Sequence, residues 1–341
     1  NSAYTTLAES GGAVVIDATR PTVQITVTEV ATAGSYNADV SITFTISEAT
    51  VDFIAGDVST SLCTLGGWNG ASSTSYTADC SGGLSEGTVT LDVNAGTLED
   101  AAGNTNTAAT QYTWTHDSTV PLVGITSVGD NPGWINNAEK NTDGFDVVGT
   151  AFGANSQTVT VDYGSASTTC SVSANTWTCS FTTGDLSSAG TIEGETVTIK
   201  ANVDDAAGNS AVQALSQIVE DLTAPSVTGL SLAAASAGVG DSLTLTITAG
   251  ETGLEKSAIT INGVDSSGTT DNNDNSYTVT YTVVEGNTDR TAGATPASVV
   301  LSDGAGNTNS AYTTVTEAGA GVTIDANSPA ATTTVSVGTE T

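Results

Sequence analysis

Acidic residues recur in this sequence at spacings that would set oxygen ligands side by side. Asp17, Asp117, Asp221 and Asp325 each open a short segment that ends in proline: DATRP, DSTVP, DLTAP and DANSP. A second set, Asp100, Asp205 and Asp303, opens the segments DAAGN, DAAGN and DGAGN. Glu48 and Glu251 add two more carboxylates just after early apolar runs. Carboxylate and amide oxygens in number suit a hard divalent cation, and Ca2+ takes roughly six to eight of them. The competing use is structural, because Asp caps turns by accepting backbone N–H groups. The sequence leaves both uses open.

Other chemistry is thinner. Four cysteines fall as two close pairs, Cys63 with Cys80 and Cys170 with Cys179. Close pairs in strand-rich sequence point to local disulfides and an oxidising, extracellular compartment. A metal site or free thiols are the alternatives, although the lone histidine, His116, is distant from both pairs in sequence. The run Asp271–Asn275 imitates the start of an EF-hand loop, but Ser276 stands where the loop needs glycine and Thr282 where it needs glutamate. A hairpin tip is the plainer reading. Trp68, Trp114, Trp134 and Trp177 could stack on sugars, yet isolated Trp in such a chain more often packs a core. With one histidine and five Lys plus Arg, little is present to stabilise an oxyanion or orient a nucleophile. No P-loop, dinucleotide fingerprint or serine elbow is found, so the chain reads as non-enzymatic.

The elements that must position these residues repeat. Pro21, Pro121, Pro225 and Pro329 lie 100, 104 and 104 residues apart, one domain per interval. The expected organisation is a terminal strand region plus linker over 1–21, domains over 22–120, 121–224 and 225–328, and a first strand of a following repeat over 329–341. Residues 1–21 align without gaps to 309–329, an offset of 308 residues, which implies a periodic parent chain. The two ends are therefore expected to superpose. Strands are expected over Thr22–Val30, Val40–Ile46, Thr88–Val93, Thr158–Tyr163, Thr196–Val203, Ser242–Thr248 and Tyr277–Val283, where apolar and polar residues alternate. Gly, Asn, Asp and Ser clusters between them mark turns, and Gly103, Gly208 and Gly306 suit a left-handed turn position. No stretch sustains helical spacing.

Composition narrows the partners. Lys plus Arg number 5 against 37 Asp plus Glu, a formal net charge of -32, so nucleic acid and anionic membrane would be repelled. Charged residues are still only 12% of the chain, which leaves Thr, Ser, Asn, Gly and Ala to cover the surface. Methionine is absent, no apolar run is long enough to span a membrane, and no Asn-x-Ser/Thr sequon occurs. The chain is thus expected to come from inside a longer or processed polypeptide.

The Asp-to-Pro linkers, the Asp-x-Ala-Gly-Asn turns and the period together resemble the bacterial Ig-like repeats of giant cell-surface adhesins. Phe44 to Glu48 with Val51 to Phe53 is similar to one subclass, with Thr248 to Glu251 a looser relative; Val148 to Ala151, Thr158 to Val161 and Trp177 are similar to another. The resemblance implies an all-β fold of tandem immunoglobulin-like antiparallel β-sandwiches arranged as an elongated rod. It also implies Ca2+ at the domain junctions, with Asp17, Asp117, Asp221 and Asp325 in the linkers and Asp100, Asp205, Asp303, Glu48 and Glu251 as further donors. The implied function is an extracellular structural segment of a cell-surface fibre or adhesin stalk. Its partners are neighbouring repeats or copies along the fibre, with any host or surface ligand engaged through parts outside this segment. The rival readings are a surface-layer, sheath or filament subunit, and a carbohydrate-binding Ig-like module.

Overall fold

The computed structural model describes residues 16–81, 84–233, 235–266 and 268–329. Residues 1–15 of the expected superposition of the chain's two ends, and residues 330–341 of the first strand expected over 329–341, lie outside the described residues.

Alternation of side chains across a strand decides which residues face inward. Along Val40–Ile46 the residues Val40, Ile42, Phe44 and Ile46 are buried and those between them are exposed or half-buried, and in Val23–Val27 the buried Val23, Ile25 and Val27 alternate with the exposed Gln24 and Thr26. Their apolar faces meet others to form three separate cores. The first gathers Val23, Phe44, Leu91 and Trp114; the second Val147, Val161, Trp177 and Ile199; the third Leu230, Leu245, Tyr277 and Leu301. Each core lies between sheets made only of strands near it in sequence.

In the first sandwich one sheet runs Val23–Val27, Val40–Ile46, Ser75–Cys80, Leu65–Ser72, and the facing sheet runs Ser35–Tyr36, Tyr112–His116, Gly87–Val93, Val58–Ser61. The second divides its strands differently. Thr176–Phe181, Phe145–Phe152 and Leu122–Val128 face a five-stranded sheet of Trp134–Ile135, Ala214–Glu220, Thr196–Val203, Thr158–Tyr163 and Ala166–Ser171. The third adds Val315–Glu317 beside Val227–Leu232, and its Ala235–Gly238 pairs with Val322–Asp325.

Not every pairing is antiparallel. In each sandwich a short early strand runs parallel to the last one: Tyr36 opposite His116, Ile135 opposite Glu220, and Ala237 opposite Ile324. This switch explains why the strand expected over Thr22–Val30 stops at Val27. The chain turns at Ala31–Gly34, with Gly34 N donating to Ala31 O at 2.9 Å, and crosses to the opposite sheet. The expected strands Val40–Ile46, Thr158–Tyr163 and Thr196–Val203 form with those bounds.

Cys63 is bonded to Cys80 and Cys170 to Cys179, with Cα–Cα distances of 5.6 and 5.1 Å. Cys170 lies on an edge strand of the five-stranded sheet and Cys179 on an edge strand of the facing one, so this bond ties the two sheets together. Cys63 follows Val58–Ser61 of one sheet, while Cys80 ends a strand of the other. Trp114 and Trp177 are buried in their cores, and Trp68 packs among Phe44, Phe53 and Tyr76 with ring centroids 5.2 to 5.9 Å away. Asp271–Asn275 is a hairpin tip whose oxygens serve the turn: Asp271 Oδ1 accepts from Asn273 N at 2.7 Å and Asp274 Oδ1 from Ser276 N at 3.0 Å.

Candidate functional site: the domain junctions

Each Asp-x-Ala-Gly-Asn segment folds into the same closed turn. Asp100 Oδ1 accepts from the backbone N–H groups of Ala102 and Asn104, both at 2.8 Å, and its Oδ2 accepts from Asn104 Nδ2 at 2.8 Å. Asp205 and Asp303 hold Ala207 with Asn209, and Ala305 with Asn307, in the same way. The turn requires positive φ at Gly103, Gly208 and Gly306, with values of 88°, 91° and 92°. Side-chain donation from Asn104 is the main reason the Asp100 carboxyl sits below its ordinary value.

The turn then reaches out of its own loop. Asn104 Nδ2 donates to the carbonyl of Asp17 at 3.2 Å, Asn209 Nδ2 to that of Asp117 at 2.8 Å, and Asn307 Nδ2 to that of Asp221 at 2.8 Å. Each turn therefore grips the linker that enters its sandwich, not the one that leaves it. The linker Asp side chains meanwhile cap their own bends: Asp17, Asp117, Asp221 and Asp325 accept from Thr19, Thr119, Thr223 and Asn327 at 2.9, 2.9, 3.2 and 3.1 Å. The structural use of these aspartates is realised at all four linkers.

Three of the candidate carboxylates converge at the first junction. Ligand oxygens of Asp17, Glu48 and Asp100 all lie within 4.8 Å of one another. Glu48 Oε1 is buried and has no hydrogen-bond partner. Loss of water, then repulsion by Asp17 and Asp100, pushes the Glu48 carboxyl above its ordinary value. At the third sandwich Glu251 is raised by the same causes, desolvation first and then Asp303 and Asp221. Asp221 is raised mainly by desolvation, with Asp303 and Glu193 adding to it against the hydrogen bond from Thr223.

The middle junction departs from this pattern. Val23 pairs with Ile46, Val123 with Ala151 and Val227 with Ala249, so the place of Glu48 and Glu251 is taken in the second sandwich by Gly153. Asp117 and Asp205 are joined through Asn209 but lack that third carboxylate. Asp325 has no partner turn among the described residues.

Sequence reasoning missed a second hold on the linkers. Glu86, Glu193 and Glu285 each precede a glycine of positive φ, Gly87, Gly194 and Gly286. Glu86 Oε1 accepts from Ser118 N at 2.7 Å and from the Ser118 hydroxyl, Glu193 accepts from the Thr223 hydroxyl, and Glu285 Oε2 accepts from Ser328 N at 3.0 Å. The Glu-Gly pairs stand 31, 28 and 40 residues before Asp117, Asp221 and Asp325, an uneven spacing that hides them from a gapless comparison. Asn106 and Asn309 were missed as well. Each spends its amide on backbone inside its own sandwich, and Ala211 replaces them in the second.

Hydrogen bonds from Ser118 hold the Glu86 carboxyl below its ordinary value of 4.5. A depressed acid contributes stability that is present above its unfolded pKa and lost as pH falls through the folded one. Glu86 is therefore expected to titrate below 4.5, with the Ser118 amide resonance shifting along the same curve. Carboxyl and amide chemical shifts followed from neutral to acid pH check this, and independent curves would break the link.

Comparison with known proteins bears on the first sandwich. Residues 17–115 match the family model of the bacterial Ig-like domain. The matched stretch begins at the linker Asp17 and contains both Glu48 and the Asp100 turn. No curated protein matches the chain. Among solved structures, a 1.5-MDa bacterial ice-binding adhesin is 18% identical with a TM-score of 0.37, covering 90% of this chain and 99% of its own. The Escherichia coli adhesin FdeC is 16% identical with a TM-score of 0.40, covering 89% and 99%. A three-domain titin fragment is 10% identical with a TM-score of 0.33, covering 90% and 100%. At such TM-scores these likenesses carry no argument. The Ig-like character of the chain stands on its own sandwiches and on the family match of the first.

Proposed function

We propose that this chain is a non-enzymatic structural segment of a bacterial cell-surface fibre or adhesin stalk, with sandwiches dividing near 121 and 225 and junctions rigidified by Ca2+. The supporting observation is the recurrent grip of an Asn from each closed turn on the carbonyl of the incoming linker Asp, at Asn104, Asn209 and Asn307. A turn that holds its own linker limits the range of angles at which one sandwich follows another. That is what a stalk needs and what an isolated binding module does not. Among the described residues no helix is long and apolar enough to cross a membrane.

The residues present fit a hard cation. Asp17, Glu48 and Asp100 offer converging oxygens, and the buried Glu48 Oε1 lacks any other partner. Asp221, Glu251 and Asp303 would form the corresponding set in the third sandwich. A bound Ca2+ would supply positive charge where these carboxylates repel one another. The protein's own part is to hold linker, early-strand Glu and closed turn in one place.

Chelation is expected to leave each sandwich folded while loosening the angles between them. Small-angle scattering of the whole chain in excess Ca2+ and in EDTA measures this, through the maximum dimension and the flexibility of the profile. Identical profiles in both buffers would remove Ca2+ from the reading.

A further inference from the structure

We propose that the two junctions between whole sandwiches differ in kind: the second and third sandwiches are clamped together, whereas the first and second are joined by a hinge. This deepens the stalk reading and rests on it for its meaning, but the difference lies in direct protein contacts and does not depend on a bound ion.

Strand register defines equivalent positions. Tyr36 opposes His116, Ile135 opposes Glu220 and Ala237 opposes Ile324, so Asn37, Asn136 and Gly238 occupy the same place at the outgoing end of their sandwiches. Asn37 Nδ2 donates to Asn209 Oδ1 at 3.0 Å. Among the described residues this is the direct hydrogen bond from the body of the first sandwich to that of the second. The linker holds at this junction, Asn209 on Asp117 and Glu86 on Ser118, have counterparts at the second, Asn307 on Asp221 and Glu193 on Thr223. The two junctions therefore differ in the contacts added to them, and one bond between two side-chain amides adds a pivot that restricts tilt and twist little.

The second junction is built from two loops. Asn131 Nδ2 and Asn136 Nδ2 both donate to the carbonyl of Ala305, at 2.6 and 3.2 Å, and Asn137 N donates to Asn307 Oδ1 at 2.9 Å. Donors arriving from separated positions restrict tilt and twist together, and each of the three bonds has the backbone as one partner, the Ala305 carbonyl in two and the Asn137 N–H in the third. The closed turns report the same difference. A Cβ placed on Gly306 would collide with the Asn131 amide, whereas at Gly208 the nearest atom would be Asn37 Nδ2 at 3.8 Å. The second junction is close-fitting and the first is not.

The variation follows from sequence. The segment Ser35-Tyr36-Asn37-Ala38 carries one Asn where Trp134-Ile135-Asn136-Asn137 carries two, and Asn131 of the preceding loop has no counterpart acting on the second sandwich. Chain bending would thus concentrate between the first two sandwiches.

The test is a pair of distance distributions on the whole chain, measured by electron–electron double resonance in EDTA. Spin-labelled non-canonical residues at the exposed Thr45 and Thr160 report the first junction, and those at Thr160 and the exposed Thr244 report the second. The expected result is a broad distribution across the first junction and a narrow one across the second. Asn131→Ala with Asn136→Ala should broaden the second to resemble the first. Equal widths in the unsubstituted chain would overturn the proposal, as would a narrow second distribution that the substitutions leave unchanged. If the doubly substituted chain does not fold, the unsubstituted pair still decides. Two broad distributions that also stay broad in Ca2+ would sink the stalk reading itself, whereas two narrow ones would sink only the hinge.

Discussion

Trp114→Ala is expected to destabilise the first sandwich by about 3–5 kcal/mol while leaving the other two melting as they do in the unsubstituted chain. Trp114 is fully buried on Tyr112–His116, in the core shared with Phe44, Val89 and Leu91. Its indole Nε1 has no hydrogen-bond partner, so the loss on truncation is one of packing and apolar area. Domains of this size hold roughly 5–15 kcal/mol of stability, so the change leaves the first sandwich close to its threshold. A drop on the order of 20 °C in one melting transition follows from the usual relation between stability and midpoint. The reason the effect stays local is that the three cores share no residue, and the junctions are made of hydrogen bonds worth about 1 kcal/mol each. Differential scanning calorimetry of the whole chain reads this directly. If all three transitions move together, the cores are coupled and the picture of independent sandwiches fails.

Reduction gives the second large effect, and its distribution is as informative as its size. Cys63–Cys80 closes a separation of 17 residues and Cys170–Cys179 one of 9. Loops of these lengths restrict the unfolded chain by roughly 3 kcal/mol each in the chain-entropy account. The first and second sandwiches should therefore melt on the order of 10–20 °C lower in reductant. The third contains no cysteine and should not move. Calorimetry with and without a phosphine reductant measures the shifts, and peptide mapping without reduction identifies the pairs. A shift in the third transition, or none in the first two, would contradict the assignment.

Strand positions were readable from sequence because alternation of apolar and polar residues is a local property. Val40–Ile46 and Thr196–Val203 must bury one face wherever they pack. The recurrence of the linkers and closed turns was readable for a similar reason, since Asp, Gly and Pro stand at equivalent points along the chain. The cysteine pairs were close enough in sequence to find each other without any knowledge of the sheets, and the structure pairs them so.

Which linker each turn would hold was beyond the sequence. Asp100 precedes Asp117 by only 17 residues, yet its turn meets Asp17, because the last strand carries the chain back along the whole length of the sandwich before the next linker starts. The parallel pairing of Ser35–Tyr36 with Thr115–His116 was equally hidden, since register between distant strands leaves no mark on local alternation. Glu86, Glu193 and Glu285 became recognisable only when three unevenly spaced loops proved to end beside three equivalent linkers. Sequence alone determined that carboxylates and amides recur near the linkers, because residue type and period are written there. Tertiary structure alone decided that Asp17, Glu48 and Asp100 converge while Gly153 leaves the middle junction without its third carboxylate, because convergence depends on strands that meet across the fold.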